Sequence, residues 1–240
     1  MRLRAAVVAL LFFLMSGQLF AQDVPDPDGE VDDPPSVEDS VQQPSAPAER
    51  PEIPSAWRAL VTDSFDDASR SSLTLTSSQP ERSQRAIVDG EYQISKLDPG
   101  NTSFSSILPG TYRDATVAID ARIVGDIDRQ FVIVTCRRQS NGSQYRLNVF
   151  PATRQIVLQK VSDGPTVQTL ASQRSDAVAP GGSSNRVELT CWGSQIFAVV
   201  NGTLVASAQD TELPEGALAV GLGGAGAIEA RFDNLVVTRP

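Results

Sequence analysis

The strongest constraint on the fold is a series of short segments rich in Val, Ile, Leu, Thr and Phe, which fills the chain from Trp57 to its end. Gly, Asn-Gly, Asp-Gly and Pro-Gly separate these segments, as is typical of strands joined by tight turns. No stretch shows sustained helical periodicity. Because a single open sheet of about a dozen strands would leave one face exposed, the pattern predicts an all-β sandwich of two antiparallel sheets. The predicted strands are 61–65, 91–96, 103–108, 115–124, 130–138, 144–150, 155–161, 166–171, 185–193, 195–201, 203–209, 217–223 and 227–239.

Two further segments precede this β-rich domain, 57–240. Residues 1–21 begin with Arg2 and Arg4, continue with the apolar run AAVVALLFFLM and end in small residues, the pattern of a secretory signal peptide. The run is shorter than the roughly 20 apolar residues of a membrane span, although retention as an anchor stays an alternative. We therefore expect a secreted, extracytoplasmic chain without membrane insertion after cleavage. Residues 22–56 are rich in Pro, Asp, Glu and Ser and predict a disordered acidic linker.

The acidic character of the chain belongs to this linker. The net charge is −9 for the whole chain, −9 for residues 22–56 and −2 for residues 57–240. A nearly neutral domain offers no electrostatic attraction for nucleic acid, so nucleic acid is not an expected partner.

The chain has two cysteines, Cys136 and Cys191, and no histidine. In an oxidising compartment such a pair usually forms a disulfide, which is our prediction; two buried free thiols are the alternative. A zinc site is not expected, because two cysteines without histidine fall short of the usual four ligands.

Several stretches of the domain carry a family resemblance. They are DSFDD, DGEYQI, TVAIDARIV, the strand ending in CRR, QYRLNV, NRVELTCWGSQIFAVVNGTLVAS and the closing ARFDNLVV. Over residues 57–240 they resemble the concanavalin A-like lectin/glucanase superfamily, and are most similar to its laminin-G-like and 3-keto-disaccharide-hydrolase-like jelly-roll domains. The resemblance implies a jelly-roll sandwich with ligands on its concave sheet. It implies no single function, since members include enzymes, sugar binders and adhesion modules.

Strand alternation indicates which side chains face outward. A two-residue turn at Asn141-Gly142 would pair Cys136 with Leu147 on the apolar face and turn Arg137 outward. A second turn at Gly193-Ser194 would place Cys191 and Ile196 on the apolar face and Trp192 on the opposite one. The outward positions combine planar hydrogen-bonding groups with an aromatic ring, which suits sugar binding, although a solvated sheet face is the alternative. The candidate ligand-binding residues are Asp120, Arg122, Arg137, Arg146, Asn148, Gln159, Glu188 and Trp192.

No catalytic residue is predicted. Retaining glucanases of this superfamily carry carboxylates at alternating positions of one strand, of the type Glu-x-Asp-x-x-Glu, and this chain has no such run. The sequence favours a non-catalytic module that binds carbohydrate or an extracellular protein. A glycosidase-like hydrolase of 3-keto-disaccharides and a structural or protein-interaction domain of the cell envelope remain alternatives.

No cofactor is expected, but the first and last strands of this fold lie side by side and both carry acidic residues. Asp63, Asp66 and Asp233 are therefore candidate ligands of a structural calcium ion. The alternative is that these side chains cap strand ends and turns.

Overall fold

The computed structural model describes residues 57–125, 128–163 and 166–240. The predicted signal peptide (1–21) and linker (22–56) lie outside the described residues. Within the described ranges the chain forms fourteen strands and one short 3-10 helix, Ala68–Arg70, and no helix there is long and apolar enough to cross a membrane. The strands are β1 (Arg58–Asp63), β2 (Ser83–Val88), β3 (Glu91–Lys96), β4 (Thr102–Tyr112), β5 (Ala115–Val124), β6 (Gln130–Arg138), β7 (Gln144–Phe150), β8 (Gln155–Val161), β9 (Val167–Arg174), β10 (Asn185–Trp192), β11 (Gln195–Val200), β12 (Thr203–Gln209), β13 (Gly216–Gly224) and β14 (Ile228–Arg239).

The strands form two antiparallel sheets that pack face to face. Sheet I has the order β12-β11-β10-β5-β14-β3-β2, and β1 also pairs with β14. Sheet II has the order β4-β13-β6-β7-β8-β9. The predicted all-β sandwich of two antiparallel sheets is confirmed.

The core lies between the sheets and follows the alternation of the strands. Val117 and Ile119 of β5, in sheet I, are fully buried, as are Leu147 of β7 and Ile156 of β8 in sheet II. Burying such a side chain contributes about 1.5–3 kcal/mol to stability.

The predicted disulfide is present and joins the two sheets. Cys136 lies on β6 of sheet II and Cys191 on β10 of sheet I, with their Cα atoms 6.4 Å apart. Both side chains point into the core, as the alternation predicted. The disulfide therefore crosses the sandwich between opposing sheets.

The register of the β6–β7 hairpin differs from the prediction. Cys136 pairs with Tyr145 rather than with Leu147. The turn is longer than two residues, because the amide of Gln139 donates to the carbonyl of Ser143 at 2.7 Å and encloses three residues. The longer turn shifts the register by one residue, and a bulge at Arg137, whose backbone is left-handed, shifts it by one more. The total shift of two residues leaves the side chains before Arg137 on their predicted faces.

Strand β2 was not predicted, because a charged side chain occupies one of its inward positions. Arg85 pairs with the buried Ile94 of β3, and its guanidinium reaches β4 in the opposite sheet. Its Nε donates to Ser106 Oγ at 3.0 Å and its Nη2 to the Ser105 carbonyl at 3.1 Å. Arg85 thus closes one edge of the sandwich with hydrogen bonds instead of apolar contacts.

Candidate functional site

The candidate ligand-binding residues do not share one surface, because their strands belong to different sheets. Those on sheet I are Asp120, Arg122, Glu188 and Trp192. Those on sheet II are Arg137, Arg146, Asn148 and Gln159. The outer faces of a sandwich point in opposite directions, so the prediction of one shared recognition face is wrong.

Arg137 does not face outward either. Its backbone has the left-handed conformation, with φ of 53°, and its side chain is only 2 % exposed. Its Nε donates to the Arg113 carbonyl at 2.9 Å and its Nη2 to the Gly193 carbonyl at 2.8 Å. Burial lowers the pKa of this guanidinium, against the influence of Asp114. Arg137 is therefore a structural link between loops at one end of the sandwich.

The charged candidates on sheet I are engaged with neighbouring side chains. Arg122 binds the Glu91 carboxylate through Nε at 3.0 Å and Nη2 at 2.5 Å, and this hydrogen bonding raises the pKa of Arg122. Asp120 accepts from Asn234 Nδ2 at 2.9 Å and lies 3.5 Å from Arg186 Nη1. This part of sheet I is a network of ion pairs.

Trp192 lies on the outer face of sheet I, as predicted. Its ring contacts Trp57 edge to face, with the ring centroids 6.4 Å apart. Glu188 lies on the same face of β10, opposite Val199 of β11. Phe197 and Val199 beside them are buried. Trp192 thus belongs to an apolar, aromatic surface on the side of the molecule opposite Arg146.

Sheet II brings three of the candidates together with Thr135. Arg146 of β7 pairs with Thr135 of β6 on one side and with Gln159 of β8 on the other. Gln159 Oε1 accepts from Arg146 Nε at 3.0 Å and from Asn148 Nδ2 at 2.9 Å. We call Thr135, Arg146, Asn148 and Gln159 the polar cluster.

Two atoms of the polar cluster are buried without a hydrogen-bond partner in the described part of the chain. They are Thr135 Oγ1 and Asn148 Oδ1, in side chains that are 0 % and 3 % exposed. Buried polar atoms are nearly always hydrogen bonded, and an unpaired one costs about 1–3 kcal/mol. The cluster therefore holds hydrogen-bonding capacity that the fold itself does not use.

Arg146 forms no ion pair that would offset its charge in the described part of the chain. Burial alone lowers the pKa of its guanidinium. The strands of sheet II, which are described in full, contain five Lys or Arg residues and no Asp or Glu. Arg138, Arg146 and Arg174 lie on its outer face, whereas Arg137 and Lys160 are buried. The outer face of this sheet therefore carries positive charge although the chain as a whole is acidic.

An aromatic pair borders the polar cluster. The rings of Phe131 and Phe150 lie 4.7 Å apart and are tilted by 38°. Phe131 reaches over β13, where a Cβ atom on Gly223 would lie 2.5 Å from the Phe131 ring. Because glycine has no side chain, this position leaves room for the Phe131 ring. The candidate ligand-binding residues did not include Thr135 or the two phenylalanines, although strand alternation places all three on the face of Asn148.

A cavity of about 360 Å³ continues this face toward one end of the sheet. There Arg138 pairs with Ala217 across β6 and β13, and its Nη1 donates to Gln144 Oε1 at 3.0 Å. The lining residues are Ile107, Gly110, Thr111, Arg138, Gln139, Ser140, Glu215, Gly216 and Ala217.

The candidate calcium ligands serve as local caps. The Asp63 carboxylate accepts from the amide of Phe65 at 2.8 Å and from that of Ser72 at 2.5 Å. Asp66 and Asp233 also accept hydrogen bonds from residues close in sequence. Among the described residues, no three acidic, His or Cys side chains are arranged to hold a metal ion. Calcium binding stays a prediction that this arrangement does not strengthen.

Comparison with known proteins identifies the fold. No protein-family model matches the sequence, and no curated protein matches it. The carbohydrate-binding module CBM66 from Bacillus subtilis is 18 % identical, with a TM-score of 0.54, over 65 % of this chain and 92 % of that chain. A Bacillus subtilis protein of unknown function with a galectin-like fold is 14 % identical, with a TM-score of 0.58, over 75 % of this chain and 94 % of that chain. The catalytic domain of an endo-1,3-β-glucanase from Thermotoga petrophila is 9 % identical, with a TM-score of 0.56, over 76 % of this chain and 98 % of that chain.

These likenesses concern the backbone fold, since the sequence identities are low. A carbohydrate-binding module, a galectin-like protein and a glucanase share one architecture with this chain while differing in chemistry. The chain has the concanavalin A-like jelly-roll fold of the lectins and glucanases.

Proposed function

We propose that the domain is a non-catalytic carbohydrate-binding module whose ligand binds on the outer face of sheet II. The observation that carries this proposal is the pair of buried, unpartnered atoms Thr135 Oγ1 and Asn148 Oδ1. A bound ligand with hydroxyl groups supplies the partners that the protein lacks, because a hydroxyl both donates and accepts.

The surroundings of these two atoms suit a sugar. Arg146 and Gln159 add planar polar groups held in place by their mutual hydrogen bond. Phe131 and Phe150 offer apolar ring surface beside them, against which a sugar ring can pack. The structural likeness to a carbohydrate-binding module supports the same assignment.

Binding is favoured over hydrolysis by the absence of carboxylates from the strands of sheet II. Retaining hydrolysis needs two carboxyl groups about 5 Å apart across the scissile bond. Asp120 and Glu188, the two carboxylates among the candidate ligand-binding residues, belong to the other sheet. The described strands that carry the polar cluster hold no carboxylate in their place.

We further propose that the protein acts outside the cytoplasm. The disulfide between Cys136 and Cys191 suits an oxidising compartment. Export also brings the domain into contact with polysaccharides of the cell surface or the medium.

Affinity electrophoresis of the full chain against a panel of neutral and acidic polysaccharides tests the proposal. Asn148→Ala is expected to abolish the retardation caused by the binding polysaccharide. Trp192→Ala, on the opposite face, is the matched control and is expected to bind like the wild type. Loss of binding in Trp192→Ala with normal binding in Asn148→Ala would show that the ligand binds on sheet I instead. A folded wild type that binds none of the polysaccharides would refute the proposal and favour a structural or protein-interaction role.

A further inference from the structure

We infer that the ligand is an acidic carbohydrate, bearing a carboxylate or a sulfate ester on its sugar ring, and that Arg146 binds this acidic group. The inference rests on the proposed function and names the class of sugar bound at the same site.

The first support is the unmatched charge of Arg146. Several other arginines of the described residues lie beside carboxylates, as Arg122 does with Glu91 and Arg186 with Asp120. Arg146 instead donates through Nε to the neutral amide oxygen of Gln159. This bond fixes the plane of the guanidinium. A planar pair of donors of this kind matches the oxygens of a carboxylate or sulfate.

The second support is the distribution of charge over the molecule. The strands of sheet I carry six Asp and Glu residues beside seven Lys and Arg, whereas those of sheet II carry five Lys and Arg and no Asp or Glu. The cavity that continues the face is lined by Arg138 and by Glu215, and Glu215 lies 3.7 Å from Arg113. In a chain with a net charge of −9, this face is the region to which an anion is drawn.

A neutral sugar would leave part of the site unused. It could pair with Thr135 Oγ1 and Asn148 Oδ1, but it would shield the Arg146 charge further from water without compensating it. Burying a charge without a partner is costly. An acidic sugar can pair with all three groups at once, since its ring hydroxyls can bind the two unpaired oxygens and its anionic group can bind the Arg146 guanidinium.

The test compares matched polymers that differ only in charge. Polygalacturonate is compared with its methyl ester, and dextran sulfate with dextran, by isothermal titration calorimetry on the full chain. We expect one of the acidic polymers to bind, its neutral counterpart to bind at least tenfold more weakly, and poly-L-glutamate not to bind. Preference for polygalacturonate identifies a carboxylate, and preference for dextran sulfate identifies a sulfate ester.

Variants assign the effect to Arg146. Arg146→Gln is expected to weaken binding of the acidic polymer about ten- to hundredfold and to remove the preference over the neutral one. Arg146→Lys is expected to keep only part of the affinity, because an ammonium lacks the planar pair of donors. Arg186→Gln, which removes the same charge from sheet I, is the control and is expected to bind like the wild type. Thermal melting checks that each variant is folded.

The outcomes separate this inference from the proposed function. Equal binding of the charged and neutral polymers, or unchanged binding by folded Arg146→Gln, would overturn the inference while carbohydrate binding stands. Binding of poly-L-glutamate as tightly as of the acidic polysaccharide would also overturn it, since charge without sugar would then suffice. Failure of every polysaccharide to bind would overturn both.

Discussion

Replacing Thr135 with valine is expected to stabilise the domain and at the same time weaken ligand binding. The Thr135 hydroxyl is fully buried and its Oγ1 has no partner in the described part of the chain. Valine has nearly the same shape and removes the unpaired polar atom, so the free energy of unfolding should rise by about 1–3 kcal/mol. In a domain of this size each kcal/mol raises the melting temperature by about 2–4 °C. Urea denaturation and calorimetric binding of the same samples measure the two effects.

Thr116 provides the matched control. It lies on the outer face of sheet I, is also buried, and its Oγ1 lies 2.7 Å from Thr190 Oγ1. Thr116→Val leaves the Thr190 hydroxyl unpaired and is expected to destabilise the fold by about 1–3 kcal/mol without affecting binding. The preference of valine for strands is common to both variants and cancels in the comparison. If Thr135→Val lowers the free energy of unfolding, or if the two variants change it in the same direction, the idea that the Thr135 hydroxyl is unpaired until a ligand binds is refuted.

Three further predictions concern the rest of the domain. Replacing Cys136 and Cys191 together by alanine should lower the free energy of unfolding by about 4 kcal/mol, since the disulfide closes a loop with a sequence separation of 55; urea denaturation measures this. Burial and a hydrogen bond to Asp210 raise the pKa of Tyr145 to about 12. The stabilisation that this shift gives the folded state is complete below about pH 10, the pKa of tyrosine in the unfolded chain, and is lost as the pH rises to about 12. Tyr145→Phe should remove this part of the pH dependence of unfolding. Gly223→Ala should displace the Phe131 ring, and so destabilise the domain by about 1–3 kcal/mol and weaken ligand binding. Thermal melting measures the loss of stability and titration calorimetry the loss of affinity. Unaltered binding would exclude the aromatic pair from the site.

The facing of side chains was predictable wherever a strand alternates cleanly. Along β10 and β11 the predicted register is correct, with Cys191 paired to Ile196 and Trp192 to Gln195, because the turn at Gly193-Ser194 has two residues. Along β6 and β7 the faces are correct although the register is shifted by two residues. The three-residue turn alone would have reversed these faces, but the bulge at Arg137 adds a second one-residue shift and restores them.

The position of the candidate site could not be predicted in the same way. Whether a strand joins sheet I or sheet II depends on pairings between segments distant in sequence, such as β5 with β14, which local patterns do not encode. Arg137 escaped prediction for a different reason, since its left-handed backbone interrupts the alternation at that one residue. The grouping of Arg146 and Asn148 with Gln159 needed only the hairpin of β7 and β8 and was correct. Their association with Trp192 needed the topology and was wrong.

The division of the candidates between two faces also decides how their charges act. Packed sheets lie about 10 Å apart, and outward side chains extend the separation between the two outer faces further. The screening length in physiological salt is about 8 Å, so the carboxylates on sheet I do little to neutralise Arg146 on sheet II. A single mixed face, as the sequence suggested, would have let Asp120 or Glu188 pair with Arg146. The sandwich keeps these groups apart. The strands of the face that remains carry arginine and no carboxylate, which is the physical basis for expecting an acidic sugar there.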